Sequence, residues 1–249
     1  MCSSDLPSKL ALLSQIATLY ETRLNNSSEA TKAYEEILSI SPENNGAQSF
    51  LIERYRKRKD WKRFVDVSQL HLNQVKVKED RLAELRDLAL IASEKLRDIS
   101  LSGTLWRELI EGLPGDLEAL ENLTRIYELQ KDWPALDEVL HQRLKGAEEG
   151  DKADLLERLA TVLYRQLDKP QEAVSHYEAL IEIDPGNRKA QESLRKIYVD
   201  LGRWDELETT YVHLDRWSEY SRVLEKAAEE TDEQGKAVEL LHRAASIWL

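Results

Sequence analysis

Five residues recur three times in this chain at fixed offsets. Pro42, Ala47, Leu51, Tyr55 and Trp61 return as Pro114, Ala119, Leu123, Tyr127 and Trp133, and again as Pro185, Ala190, Leu194, Tyr198 and Trp204. The internal steps are 5, 4, 4 and 6 in every copy, and the copies lie 72 and 71 residues apart. Four spacings held over three copies mark a repeat architecture, so the fold must be assembled by stacking one short unit.

Each step has a physical meaning. The 4-4 step from Ala to Leu to Tyr sets three side chains on one helical face. Proline suits a helix start and not its interior, so each copy opens a helix. Past the tyrosine, Asp60 and Asp132 suit the capping of a second helix, while Gly202 suits a helix C-terminus. Apolar residues follow at Phe64 and Val67, at Leu136 and Val139, and at Leu207 beside Thr210. The unit reads as helix, tight turn, helix.

A quieter repeat lies between these copies. Leu13, Ile16, Ala17 and Leu24 are matched by Leu85, Leu88, Ala89 and Leu96, then by Leu156, Leu159, Ala160 and Leu167. Another helix follows each, carrying Tyr34, Trp106 or Tyr177 and running into the prolines above. Each period therefore holds two helix pairs. Glycine is scarce and no alternating Val/Ile/Thr run bounded by hairpin dipeptides competes.

The pattern resembles the tetratricopeptide repeat, a helix-turn-helix unit of about 34 residues. The best single match runs Ala190-x3-Leu194-x3-Tyr198-x3-Gly202-Arg203-Trp204-x2-Leu207, with Tyr211 four residues on. Ala30, Tyr34, Leu38 and Pro42 match its second half, as do Ala173, Tyr177, Ile181 and Pro185. The resemblance implies an all-α fold, a right-handed α-solenoid of antiparallel helix pairs filling one array over 7–249. Pairs are expected at about 9–41, 43–77, 79–113, 115–148, 151–184 and 186–213, with an irregular, incomplete pair over 216–249. Two departures carry expectations. The odd pairs hold one extra residue in the turn, as in Leu24-Asn25-Asn26-Ser27, and the even pairs lack the closing proline. Their second helices should therefore run to about Val75 and Lys145. Trp204 and Trp217 stand only 13 residues apart, which predicts a short helix over 204–213 and a longer one over 216–230.

Composition excludes several function classes. With 35 basic against 47 acidic residues the net charge is −12, a poor match to the basic stripe that phosphate binding needs, so no nucleic-acid partner is expected. No apolar run approaches the ~18 residues of a membrane span. Cytoplasm is the default compartment. The segment 1–6, with the only Met and the only Cys, also reads as the translation of a sequencing-adapter string and is set aside as non-native. At the other end, Ile247, Trp248 and Leu249 follow a helix with nothing to cover them, so the chain reads as a fragment open at both ends.

Catalytic and metal signatures are weak. His71, His141, His176, His213 and His242 show no metal-ligand spacing, with His213 read as a turn residue, and no HExxH, CxxC or GxSxG occurs. No cofactor or metal is expected. Adjacent carboxylates such as Glu35 and Glu36 diverge on a helix surface. The recurrent aromatics, Trp61, Trp133 and Trp204 included, keep a fixed phase and read as packing between neighbouring pairs rather than as a ligand cage.

In the resembled family, the first helix of each pair lines a concave groove at positions that packing leaves free. Carried onto this chain, the even pairs supply Ser49, Glu53 and Arg56; Glu121, Arg125 and Glu128; and Glu192, Lys196 and Asp200. The odd pairs supply Gln15 and Thr18, Arg86 and Leu90, and Glu157 and Thr161. The Lys and Asn of the family's carboxylate clamp are replaced by Glu53, Arg125, Ser49 and Glu121, which argues against a chaperone-tail receptor. The implied function is a non-enzymatic scaffold binding a peptide or protein in that groove. The alternative is the regulatory or docking arm of a larger enzyme, such as a kinase or glycosyltransferase. Self-association through exposed end helices is a third expectation.

Overall fold

The computed structural model describes residues 5–213 and 216–248. Most of the adapter-like segment (1–4), Leu214 and Asp215 beside His213, and Leu249 lie outside the described residues. Fourteen α-helices and no strand occur among the described residues. They are α1 (Asp5–Thr22), α2 (Ser27–Ile40), α3 (Asn45–Arg58), α4 (Trp61–Leu72), α5 (Lys78–Ile91), α6 (Ile99–Gly112) and α7 (Leu117–Gln130). Then come α8 (Trp133–Lys145), α9 (Glu149–Arg165), α10 (Pro170–Ile183), α11 (Arg188–Leu201), α12 (Trp204–His213), α13 (Trp217–Glu230) and α14 (Gln234–Ser246). His213 is thus the last residue of a helix. The contacts divide the chain into two compact units, one ending at Lys131 and the other beginning at Asp132. The first holds α1 to α7 and the second α8 to α14, and within each unit sequential helices pack side by side.

Helix starts follow from local chemistry. The side chains of Asn44, Asp116 and Asn187 accept the N–H of Ala47, Ala119 and Ala190 at 2.9, 2.9 and 3.0 Å. Asp60 and Asp132 cap α4 and α8 in the same way. Each cap satisfies one of the amides that a helix leaves unpaired, worth about 1 kcal/mol.

Helix ends come in two kinds, and they explain the extra residue of the odd pairs. In the even pairs Lys59, Lys131 and Gly202 adopt left-handed φ of 57°, 56° and 66°. The next amide reaches back five residues, Asp60 to Tyr55 at 3.0 Å and Arg203 to Tyr198 at 2.8 Å, as in a Schellman turn. In the odd pairs Asn25, Arg97 and Asp168 take the left-handed place, with φ of 47°, 55° and 52°. There the next amide reaches back six residues, from Asn26 to Tyr20, Asp98 to Ala92 and Lys169 to Leu163, each at 2.9 Å. The inserted residue is absorbed by widening the last turn, and after α5 the widening extends to a π-helical segment, Ala92–Leu96.

The recurrent face is buried. Ala47, Leu51, Tyr55 and their counterparts in α7 and α11 are all 4% exposed or less. Their tyrosine hydroxyls meet a residue 20 positions earlier. Tyr55 donates to Glu35 Oε1 at 2.5 Å, Tyr198 donates to Glu178 Oε1 at 2.6 Å, and Tyr127 accepts from Arg107 Nε at 3.2 Å. The second helix of an odd pair is thereby latched to the first helix of the next pair.

Trp61, Trp133 and Trp204 are half-buried, each as the first residue of its helix. Leu24 is exposed, since the widened turn carries it away from the packed face. Helix α4 stops at Leu72 rather than near Val75. The Arg81 guanidinium reaches back to accept that role of terminus partner, donating to the Leu72 carbonyl, and the chain continues in tight turns from His71 to Val75. Helix α8 does run to Lys145. The short α12 and longer α13 are joined by stacked rings of Tyr211 and Tyr220, 5.5 Å apart.

No helix among the described residues is long and apolar enough to cross a membrane. Near the end, Val238, Leu241 and Trp248 remain exposed, with the Trp248 indole N–H donating to Ser221 Oγ at 3.3 Å.

Candidate functional site

Two clefts gather most of the side chains singled out from the sequence. In the second unit, a cleft of about 950 Å³ opens between α9 and α11, with α10 contributing to its floor. Glu157 and Thr161 of α9 line it together with Glu192, Lys196 and Asp200 of α11. These five positions come from two helices separated by a full helix, and the helix-pair stacking brings them to one opening.

The cleft is polar and mixed in charge. Arg165, Lys189 and Lys196 supply cations, and Glu157, Asp168, Glu192 and Asp200 supply anions. Its hydroxyls are ordered by neighbours. Tyr164 OH donates to Asp200 Oδ2 at 2.8 Å, and Thr161 Oγ1 lies 3.3 Å from Tyr177 OH. Burial first, then the bond to Asp200, push the Tyr164 hydroxyl up to about 12, so it remains a proton donor at neutral pH.

In the first unit, a smaller cavity of about 400 Å³ lies among α3, α4 and α5. Ser49, Glu53 and Arg56 of α3 line it. Arg56 pairs with Asp87 and covers the Phe64 ring at 4.8 Å, while Glu53 pairs with Lys57 at 2.5 Å. The remaining walls come from Ile52, Phe64, Ser68, His71, Glu84 and Leu88.

Other sequence-chosen residues stand apart. Arg86 is held at the α7 N-terminus by Asp116 and by Glu118 at 3.2 Å. Leu90 is half-buried on α5, and Glu121, Arg125 and Glu128 are exposed on α7; none of these is among the lining residues of either cleft. Gln15 and Thr18 line an open depression along α1. Sequence reasoning missed the floor of both clefts: Tyr177 in one, Phe64, Ser68 and His71 in the other. Those residues belong to second helices, and their i, i+4 phase with buried neighbours was the available signal.

The histidines also hold a surprise. His141 and His176, 35 positions apart in sequence, bring their rings to 5.4 Å edge-on, with Asp137 Oδ1 3.1 Å from His141. Burial first, then the neighbouring His141, hold His176 below the ordinary histidine range. No group of three or more His, Cys, Asp or Glu side chains among the described residues is placed to hold a metal ion.

Two sequence profiles described as tetratricopeptide repeat match residues 119–153 and 153–187. No curated protein matches significantly. Among solved structures, the chain is similar to YrrB, described as a TPR protein with an unusual peptide-binding site, at 17% identity and a TM-score of 0.40, over 66% of this chain and 84% of that one. It is similar to a chain in the structure of Naa15/Naa10 bound to HypK-THB at 18% identity and a TM-score of 0.48, over 92% of this chain and 36% of that one. A third likeness is the C-terminal part of a TPR repeat-containing protein from Cytophaga hutchinsonii, at 12% identity and a TM-score of 0.38, over 94% and 95%. Residues 119–187 thus match adjoining tetratricopeptide repeats in sequence, and the helices on either side return the same capped starts and the same buried Ala, Leu and Tyr.

Proposed function

We propose that the protein is an interaction scaffold that binds an extended peptide segment in the cleft between α9 and α11. The observation carrying this reading is the convergence of Glu157, Thr161, Glu192, Lys196 and Asp200 on one opening of about 950 Å³. An extended segment rises about 3.3 Å per residue, so several of its side chains can meet that opening together. Cations and anions alternate along the α11 wall, in Lys189, Glu192, Lys196 and Asp200, which suits a segment of alternating charge rather than a uniformly charged one. Hydroxyls of Thr161, Tyr164 and Tyr177 supply the short-range polar contacts that fix register.

The test is a peptide-display selection run in parallel on the native chain and on a charge-swapped Glu192→Lys, Lys196→Glu variant. These side chains are exposed, so the swap leaves the buried face intact. Peptides enriched on the native chain should lose about tenfold or more in affinity on the variant, as expected when close charge pairs across an interface are inverted. Equal enrichment on both proteins, or none on the native chain, sinks the reading.

A further inference from the structure

The cavity among α3, α4 and α5 differs from the α9–α11 cleft in chemistry. Its walls are apolar, from Ile52, Phe64 and Leu88, and its volume of about 400 Å³ far exceeds the roughly 30 Å³ share of one water. Gln48, fully buried, donates its side-chain N–H to the Pro42 carbonyl at 2.6 Å, which turns its own carbonyl oxygen toward His71. That oxygen lies 3.1 Å from His71 Nδ1, so the imidazole proton sits on Nδ1. Flipping the amide would set two oxygens against each other at Pro42, so the relay has one orientation.

His71 Nε2 then faces Glu84 Oε1 at 3.5 Å, too far for a good hydrogen bond. A third polar group lines the same cavity. Ser68 is 5% exposed, lines the cavity, and its Oγ has no hydrogen-bond partner among the described residues. The charge balance points the same way. Glu53, Glu84 and Asp87 line the cavity against Arg56; Asp87 is taken by Arg56 and Glu53 by Lys57, while Glu84, among the described residues, faces the histidine.

We infer that this cavity receives a basic side chain, lysine or arginine, projecting from an extended peptide partner. The aliphatic stem lies along Ile52, Phe64 and Leu88, and the cationic head donates to Glu84, His71 Nε2 and Ser68 Oγ. Multiple N–H groups on one cationic centre can meet the carboxylate, the imidazole nitrogen and the hydroxyl together, and their charge offsets that of Glu84, which a neutral or anionic occupant does not supply. The site lies in the first unit and stands independently of the peptide cleft in the second.

The probe is acetyl-Gly-Lys-Gly-amide, titrated into the full chain with isotope labelling, against its norleucine counterpart as neutral isostere. Saturable shifts centred on Ser49, Ser68 and the His71 ring are expected, with the lysine peptide binding about fivefold more tightly than the norleucine peptide, the scale of one half-exposed ion pair. Glu84→Gln should abolish that preference and leave norleucine binding unchanged. Ser68→Ala should weaken the lysine peptide without lowering the melting temperature, since it removes an unpartnered hydroxyl. Equal binding of the two peptides, a lysine preference that survives Glu84→Gln, or shifts centred elsewhere overturns the inference. So does unchanged lysine binding in Ser68→Ala, which would mean the hydroxyl merely turns back to its own helix.

Discussion

At the scale of single residues, the recurrent tyrosine is both a core ring and a polar latch. Burial first, then the Glu35 carboxylate, raise the Tyr55 hydroxyl above its ordinary value, so it stays protonated and donates. Hydrogen bonds to charged groups contribute about 1.5–3 kcal/mol when shielded, and Glu35 is 39% exposed, which brings the expected figure to about 1 kcal/mol. Tyr55→Phe should lower unfolding free energy by about that amount, and a double-mutant cycle with Glu35→Gln should recover most of it as coupling. Tyr127→Phe should cost less, because its hydroxyl accepts from Arg107 at 3.2 Å, a longer bond than the 2.5 Å of Tyr55 to Glu35. Denaturant titration of the native chain, the three cycle variants and Tyr127→Phe checks both statements; a cycle with no coupling would mean the latch is incidental. The ring's burial was legible from the 4-4 spacing alone. The latch was not, because its partner lies 20 residues away on another helix and changes from Glu to Arg between copies.

At the scale of elements, the turns decide how much of the fold can be read. The starts of α4 and α8 were legible, since Asp60 and Asp132 ahead of an apolar face announce a cap. The left-handed ends were harder, because only Gly202 carries the expected residue while Lys59 and Lys131 occupy the same backbone conformation without it. A non-glycine residue there costs about 1 kcal/mol. Lys59→Gly and Lys131→Gly should therefore each stabilise the chain by roughly 0.5–1 kcal/mol, and Gly202→Ala should destabilise it by about 1 kcal/mol. Thermal melts of the three variants test the pattern, and a loss of stability in either lysine variant contradicts it. The extra residue of the odd pairs was visible in sequence, but its absorption into a widened last turn depends on backbone hydrogen bonds no residue type encodes. For the same reason the clefts were read only by half. First-helix residues such as Glu192 and Lys196 follow from the family resemblance, whereas Tyr177, Ser68 and His71 reach the floors through the stacking of one helix against the next.

At the scale of the whole molecule, the two kinds of turn alternate, and so the period the chain obeys is two helix pairs rather than one. Asn44 and Asp116 cap equivalent helices 72 residues apart, and Tyr127 stands to its cap as Tyr55 does to Asn44. Genetic excision of residues 45–116 would fuse Asn44 directly to Leu117, keep a capping side chain at the seam, and present the Tyr127 hydroxyl to Glu35. Such a shortened protein should still melt cooperatively with a helical spectrum, whereas cutting out a single pair, residues 45–78, should not. The alternation of narrow and wide turns thus sets the size of brick that an engineer, or a recombining genome, can add or remove without a misfit joint.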